Sequence, residues 1–237
     1  MGRIAILGGT GPEGLGLGLR FALIGEPVVL GSRQAQRAVD AARRAEERLR
    51  ALNCFTPVTG EDNQAAVRDA DLVVVATPFA GVAELLPPLA TTLAGRLVLD
   101  VVNPLIRVDK QFTVERVPEG SAGEAIQALL PRSLVVSGFK TESAESLNAL
   151  EQPLDGDIIV CSNHAEARAR ILALVERIPH LRAVDAGPLV NTRALEDITA
   201  LLLNLNRRHR AITSIKILGL PADQRQAPGA AAKGTEK

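Results

Sequence analysis

Seven residues near the amino terminus carry the clearest chemical signal: Gly8-Gly9-Thr10-Gly11-Pro12-Glu13-Gly14. Read from Gly9, the spacing is G-x-G-x-x-G, and the turn follows the apolar run Ile4-Ala5-Ile6-Leu7. Leu15, Leu17, Leu19, Phe21, Leu23 and Ile24 then continue in a helical pattern. The chemistry this arrangement serves is anion binding. The glycines permit a tight strand-to-helix turn, close approach of backbone to a diphosphate, and close helix packing on the strand. A helix starting there aims unpaired N–H groups and a positive dipole end at the phosphates. Gly8, Gly9, Thr10, Gly11, Pro12 and Gly14 are therefore candidates to cradle a dinucleotide.

The second signal stands at the end of the next apolar run, Pro27-Val28-Val29-Leu30, where Gly31-Ser32-Arg33 follows. An NAD site usually has Asp or Glu about 20 residues past the glycines, holding the ribose 2′-hydroxyl. This chain has no acid there. Ser32 and Arg33 supply a hydroxyl and a guanidinium, and Arg37 follows one helical turn later. Such a set suits a 2′-phosphate, which needs positive charge and several donors, so the cofactor expected is NADP.

These residues require a strand–helix alternation to position them. Residues 35–52 read as an Ala- and Arg-rich surface helix, 55–59 as a third strand and 61–68 as a short helix. Asp71-Leu72-Val73-Val74-Val75-Ala76-Thr77-Pro78 reads as a central parallel strand with Phe79 after it; 96–102 repeats the pattern and stops at Asn103-Pro104. Ligands of a doubly wound sheet sit at the carboxyl ends of its strands, which makes Thr77, Pro78, Phe79 and Asn103 candidate lining residues. Residues 106–118 look irregular, a flap over the site. Ser121 and Glu124 match a capping box that opens a helix over 121–130. Strands are expected over 134–139 and 157–161, helices over 164–178 and 192–210, and a last strand over 212–218. The expected class is α/β: a Rossmann-type, doubly wound, mostly parallel sheet with a smaller C-terminal helical unit. Residues 1–184 would form the nucleotide domain, 185–220 a small domain closing the cleft, and 221–237 a disordered tail rich in Pro, Ala, Gly, Lys and Gln.

The chain has 237 residues, 46% hydrophobic and 23% charged, with zero formal net charge. Charge balance leaves no footprint for nucleic acid or an anionic membrane. No apolar run reaches the roughly 18 residues of a membrane span, and no signal peptide is visible, so a cytoplasmic, soluble protein is expected. Cys54 and Cys161 lack metal or redox spacing and read as reduced thiols. No Ser/His/Asp or Cys/His constellation is present; His164, His180 and His209 read as solvated or capping residues. With no Trp or Tyr and five Phe, aliphatic side chains and backbone must hold any ring-shaped ligand.

Several stretches together make the chain resemble the F420-dependent NADP oxidoreductases. They are Leu7-Gly8-Gly9-Thr10-Gly11, Val29-Leu30-Gly31-Ser32-Arg33, Val102-Asn103-Pro104-Leu105, Glu119-Gly120-Ser121-Ala122-Gly123-Glu124, Val160-Cys161 and Val184-Asp185-Ala186-Gly187-Pro188-Leu189. The resemblance implies hydride transfer between NADP(H) and the 5-deazaflavin coenzyme F420. It places Thr10, Ser32, Arg33 and Arg37 on NADP, and Thr199 with the loop Phe139-Lys140-Thr141-Glu142-Ser143 near the deazaflavin, where Lys140 could pair with an anionic ring or phosphate. Thr10 and Thr199 would then stand near the reacting rings, with no acid–base catalyst. Lys140, Asp197 and Phe79 stand where that family commonly has a His, a small hydroxyl residue and a Trp. Reduction of a flavin or of a small imine or keto acid, and NADP(H) sensing without turnover, are the competing readings. The apolar centre of the 192–210 helix suggests a homodimer.

Overall fold

The structure is a computed structural model that describes residues 2–220. Six strands form its main sheet: β1 (Ile4–Leu7), β2 (Val28–Ser32), β3 (Val58–Asp62), β4 (Leu72–Val75), β5 (Leu97–Asp100) and β8 (Leu134–Ser137). Their order is β3-β2-β1-β4-β5-β8, and every pairing is parallel. Short runs of Val, Ile and Leu make these strands, because a sheet covered on both faces has no solvent side for a polar alternation. The two faces are separate cores. Ile4 and Ile6 pack with Leu17 and Phe21 of α1 (Pro12–Leu23) and Ala41, Ala45 and Leu49 of α2 (Ala35–Ala51). Ala5 and Leu7 point the other way, toward Ala66, Val82 and Ile126 of α3 (Asn63–Ala66), α4 (Val82–Leu85) and α5 (Ala122–Leu129).

Strand order reverses between β1 and β4, so a crevice opens at the carboxyl end of β1. The register brings the ends of five strands to that edge: Leu7 lies beside Gly31 and Val75, Val75 beside Asp100, and Asp100 beside Ser137. On the α2 side, alanines allow close contact. A Cβ added to Gly60 of β3 would lie 2.2 Å from the Ala38 backbone. The third strand therefore begins at Val58, past exposed Phe55, and its last residue, Asp62, caps α3 by accepting from the Gln64 and Ala65 N–H groups. Ser121 caps α5 as expected by accepting from Glu124 N–H, but the Glu124 carboxylate accepts from the Ser121 hydroxyl and not from its N–H, so half of the capping box forms.

The region expected to be an irregular flap is a hairpin. β6 (Leu105–Val108) pairs antiparallel with β7 (Gln111–Val114) through Asp109 and Lys110, both with positive φ. Two left-handed residues close a tight hairpin, but Asp-Lys lacks the glycine that usually marks such a turn. Asn204 of α8 (Thr192–His209) holds β7 by donating to the Phe112 carbonyl and accepting from its N–H, at 2.8 Å each.

After β8, α6 (Ala144–Asn148) packs on α1. Buried Arg20 staples the two, donating to the carbonyls of Ser146, Leu147, Ala149 and Gln152. β9 (Gly156–Val160) and β10 (Leu181–Asp185) form a separate parallel pair, with α7 (Ala165–Val175) between them in sequence. The expected strand over 212–218 is absent. That segment runs beside β9 and is held by single bonds, among them Asp157 N–H to the Ile215 carbonyl and Ile217 N–H to the Asp157 carboxylate. The predicted tail, 221–237, lies outside the described residues. No helix among the described residues is long and apolar enough to cross a membrane.

Asn204→Ala removes both hydrogen bonds to Phe112. It should cost about 1–2 kcal/mol, and amide exchange should accelerate across residues 105–114 while the main sheet keeps its protection.

Candidate functional site

At the carboxyl end of β1 the backbone leaves no room for side chains. Gly8 has φ +80°, and a Cβ there would sit 2.6 Å from the Ala76 carbonyl oxygen. At Gly9 it would meet Ile6 O and Leu30 Cα at 2.9 Å, and at Gly14 Gly8 O at 2.7 Å. Gly11 takes extended backbone as the residue before α1, Pro12 opens the helix, and no side chain caps this end. A helix start left uncapped beside a glycine turn suits a diphosphate. Half-buried Thr10 sits at the apex of the turn.

The next candidate residues stand at the end of β2. Ser32 is buried and its hydroxyl accepts from Gln34 N–H at 3.2 Å. Arg33 and Arg37 are exposed, and neither guanidinium has an ion pair or hydrogen bond among the described residues. The carboxylate aligned with Ser32 in the sheet, Asp62, is turned to its helix cap. Two unpaired guanidiniums beside a hydroxyl are the donor set for a phosphate dianion.

Thr77 follows β4 with its methyl group against Gly8 and its hydroxyl buried without a hydrogen-bond partner. Pro78 is exposed, and half-buried Phe79 begins a single 3-10 turn packed on the Ala5/Leu7 face of the sheet. Asn103 is half-buried past the end of β5, and its amide N–H donates to the Lys140 carbonyl at 2.9 Å.

The loop after β8 departs from expectation. Phe139 has φ +55°, is 1% exposed and meets Phe21 edge-to-face at 6.0 Å between centroids. Its ring is core, held inward by that left-handed turn. Lys140 is neither an exposed loop lysine nor a ligand aimed into the crevice. Its ammonium is fully buried, 2.7 Å from Asp100 and 3.1 Å from Glu196 of α8, with a further bond to the Val102 carbonyl. Thr141 and Thr199 are 7% and 8% exposed, and the Thr199 hydroxyl shares its single proton between the Lys140 carbonyl at 2.9 Å and the Leu195 carbonyl at 2.8 Å. Asp197 is exposed. Cys161 is a buried free thiol pushed up to about 11 by burial, so it stays protonated at neutral pH. Asp100 and Glu196 carried no motif in the sequence. The available signal was an acid ending an apolar strand and another three residues before Thr199 on a helix face.

Two more carboxyls lie beside the glycine turn. Burial pushes Glu13, in the first turn of α1, up to about 8, and the neighbouring Glu142 adds to the shift. Burial raises Glu142 to about 7 against the pull of Arg20, and its Oε1 has no hydrogen-bond partner. Both values lie above the ordinary 4.5, so the folded protein holds more protons than the unfolded chain between pH 4.5 and about 8. Stability must therefore fall as pH rises through that window. The fall should be on the order of 2–5 kcal/mol. Chemical denaturation at pH 5 and pH 8.5 measures it, and Glu13→Gln/Glu142→Gln should flatten the slope.

Residues 3–104 match the family profile described as "NADP oxidoreductase coenzyme F420-dependent". The F420-dependent NADP reductase of Methanocaldococcus jannaschii is 35% identical over 221 residues, covering 92% of this chain and 99% of that protein. The enzyme of the same name from Methanothermobacter marburgensis is 35% identical over 224 residues, with 92% and 99% covered. Among solved structures, a protein from Arthrobacter sp. FB24 assigned as an F420-dependent NADP-reductase superposes with a TM-score of 0.76 at 27% identity, covering 90% of this chain and 98% of its own. A reductive aminase from Aspergillus terreus, at 16% identity and TM-score 0.58, shares the fold. With its glycine turn, its paired arginines and this near-complete alignment, the chain belongs to the F420-dependent NADP reductase family.

Proposed function

We propose that the protein transfers a hydride between NADP(H) and coenzyme F420. The observation that supports the NADP half is the pairing of a turn with no room for a Cβ at Gly8, Gly9 or Gly14 with two guanidiniums that have no partner among the described residues. The deazaflavin half rests on family membership.

In this reading Gly8, Gly9, Gly11 and Gly14 let main-chain N–H groups and the start of α1 bind the diphosphate, with Thr10 and Pro12 shaping the turn. Ser32, Arg33 and Arg37 hold the 2′-phosphate. Thr77, Pro78, Phe79 and Asn103 line the ends of β4 and β5. Thr141 and Thr199 lie on the side where F420 enters, with the backbone of Phe139 and Lys140 behind them. The nicotinamide C4 and deazaflavin C5 are the hydride-carrying atoms, so the protein's work is to stack the two rings at reacting distance and keep water out. No acid, base or nucleophile is needed for the hydride itself.

Exposed Leu201 on α8, and Ile106 and Val108 on the hairpin, offer apolar surface for a second copy, and we infer a homodimer through this side of the molecule. Residues 1–184 act as the nucleotide domain and 185–220 as the unit that closes the cleft. The reaction takes place in the cytoplasm, where both soluble coenzymes are available.

Addition of the protein to NADPH and F420 should bleach the deazaflavin's visible absorbance, with FMN as the control acceptor. Failure to do so at any pH removes the F420 assignment. Arg33→Ala should weaken NADPH binding by about 1–3 kcal/mol and leave NADH nearly unchanged. Equal weakening of both would remove the 2′-phosphate assignment.

A further inference from the structure

The buried ion cluster under the loop after β8 has no part in cofactor binding as described so far, yet four segments of the chain meet on it. The Lys140 ammonium has three donors and three acceptors: Asp100 Oδ2 at 2.7 Å, Glu196 Oε1 at 3.1 Å and the Val102 carbonyl. Each carboxylate is held in turn. Asp100 accepts from the Ser137 hydroxyl at 2.7 Å and from Val102 N–H at 2.9 Å. Glu196 accepts from Ala122 N–H at the start of α5, at 3.0 Å. Lys140 is gripped a second time through its main chain. Its carbonyl receives the Asn103 amide and the Thr199 hydroxyl, both at 2.9 Å. Lys140 thus ties the ends of β5 and β8 to α8 twice, by side chain and by backbone.

An ion cluster with no solvent access is a poor source of stability, because desolvating the charges offsets most of their attraction. Well-packed apolar side chains would hold these segments together as firmly. What a lysine adds is direction: three donors meeting three fixed acceptors leave one place for its backbone. We propose that Lys140 is a positioning residue whose clamped ammonium sets the carbonyl on which Asn103 and Thr199 hang, and with it the distance of α8 from the nicotinamide end of the crevice. This rests on the hydride-transfer reading above. The cluster holds two acids to one base, and burial raises Glu196 against the pull of the Lys140 ammonium, with the Asp100 charge adding to the rise. Lys140→Met alone therefore leaves an unbalanced pair of acids, whereas Lys140→Met/Asp100→Asn removes one charge of each sign and leaves the Glu196 carboxyl, raised by burial, to take up a proton.

The test compares the wild type, Lys140→Met, the double variant and Thr199→Ala. The readouts are melting temperature, NADPH affinity by nicotinamide fluorescence, and single-turnover hydride transfer to F420. In the double variant we expect the melting temperature to recover toward wild type and NADPH affinity to stay within about twofold. Hydride transfer should remain roughly tenfold or more below wild type, since a displacement of an ångström at the reacting atoms costs that much or more. Thr199→Ala should reproduce the slow hydride step with little loss of stability. If Lys140→Met does not fold, the double variant carries the comparison alone. Recovery of melting temperature and rate together in the double variant would reduce Lys140 to a structural residue and overturn the proposal. Should the wild type itself fail to reduce F420, the reaction assignment falls, and the emission of bound NADPH decides the positioning claim separately. A shifted nicotinamide emission in the double variant at unchanged affinity upholds it, and an identical emission overturns it.

Discussion

Everything at the crevice depends on how closely α1 approaches the end of β1. With no Cβ at Gly8, Gly9 or Gly14, the turn folds against Ala76, Ile6 and Leu30, and the helix begins where the strand stops. That places the uncapped first turn of α1 at the reversal of strand order, with the ends of β2 and β4 on either side. A methyl group at Gly9 or Gly14 would need space already filled by backbone, and backbone cannot rotate away as a side chain can. The shape of this turn is therefore a product of packing density as much as of hydrogen bonding.

The two ends of the crevice are built by opposite electrostatic strategies. At the end of β2, charge is left exposed: Arg33 and Arg37 have no partner among the described residues and remain available to a phosphate. At the far end, charge is buried and paired: Lys140 meets Asp100 and Glu196, and the Asn103 amide and Thr199 hydroxyl turn inward to its carbonyl. An exposed cation recognises a ligand with little desolvation to overcome. A buried one cannot be a ligand, but its strict hydrogen-bond geometry can hold other groups in place. Glu13, in the first turn of α1, and Glu142, in the loop after β8, are raised mainly by burial to about 8 and about 7.

Local pattern alone was enough to read β1, β2, β4, β5, β8 and β9, the first two helices, the glycine turn and the Ser121 cap, and to single out Arg33 and Arg37. Each is encoded within a few consecutive residues: an apolar run, a fixed spacing, a side chain meeting its own backbone. Only tertiary structure decided that residues 105–114 form a hairpin, because Asp109-Lys110 carries no turn signature and Asn204, far along the chain, holds the pair in place. It likewise left 212–218 outside any strand, since one or two bonds to Asp157 do not make a ladder. Above all it decided the direction of Phe139 and Lys140. Nothing near Lys140 in the sequence shows that Asp100 and Glu196 wait for its ammonium, 40 and 56 residues away. Spacing along a chain encodes what neighbours can do, while the orientation of a side chain on a loop is set by whichever distant charges and ring faces the fold brings to it.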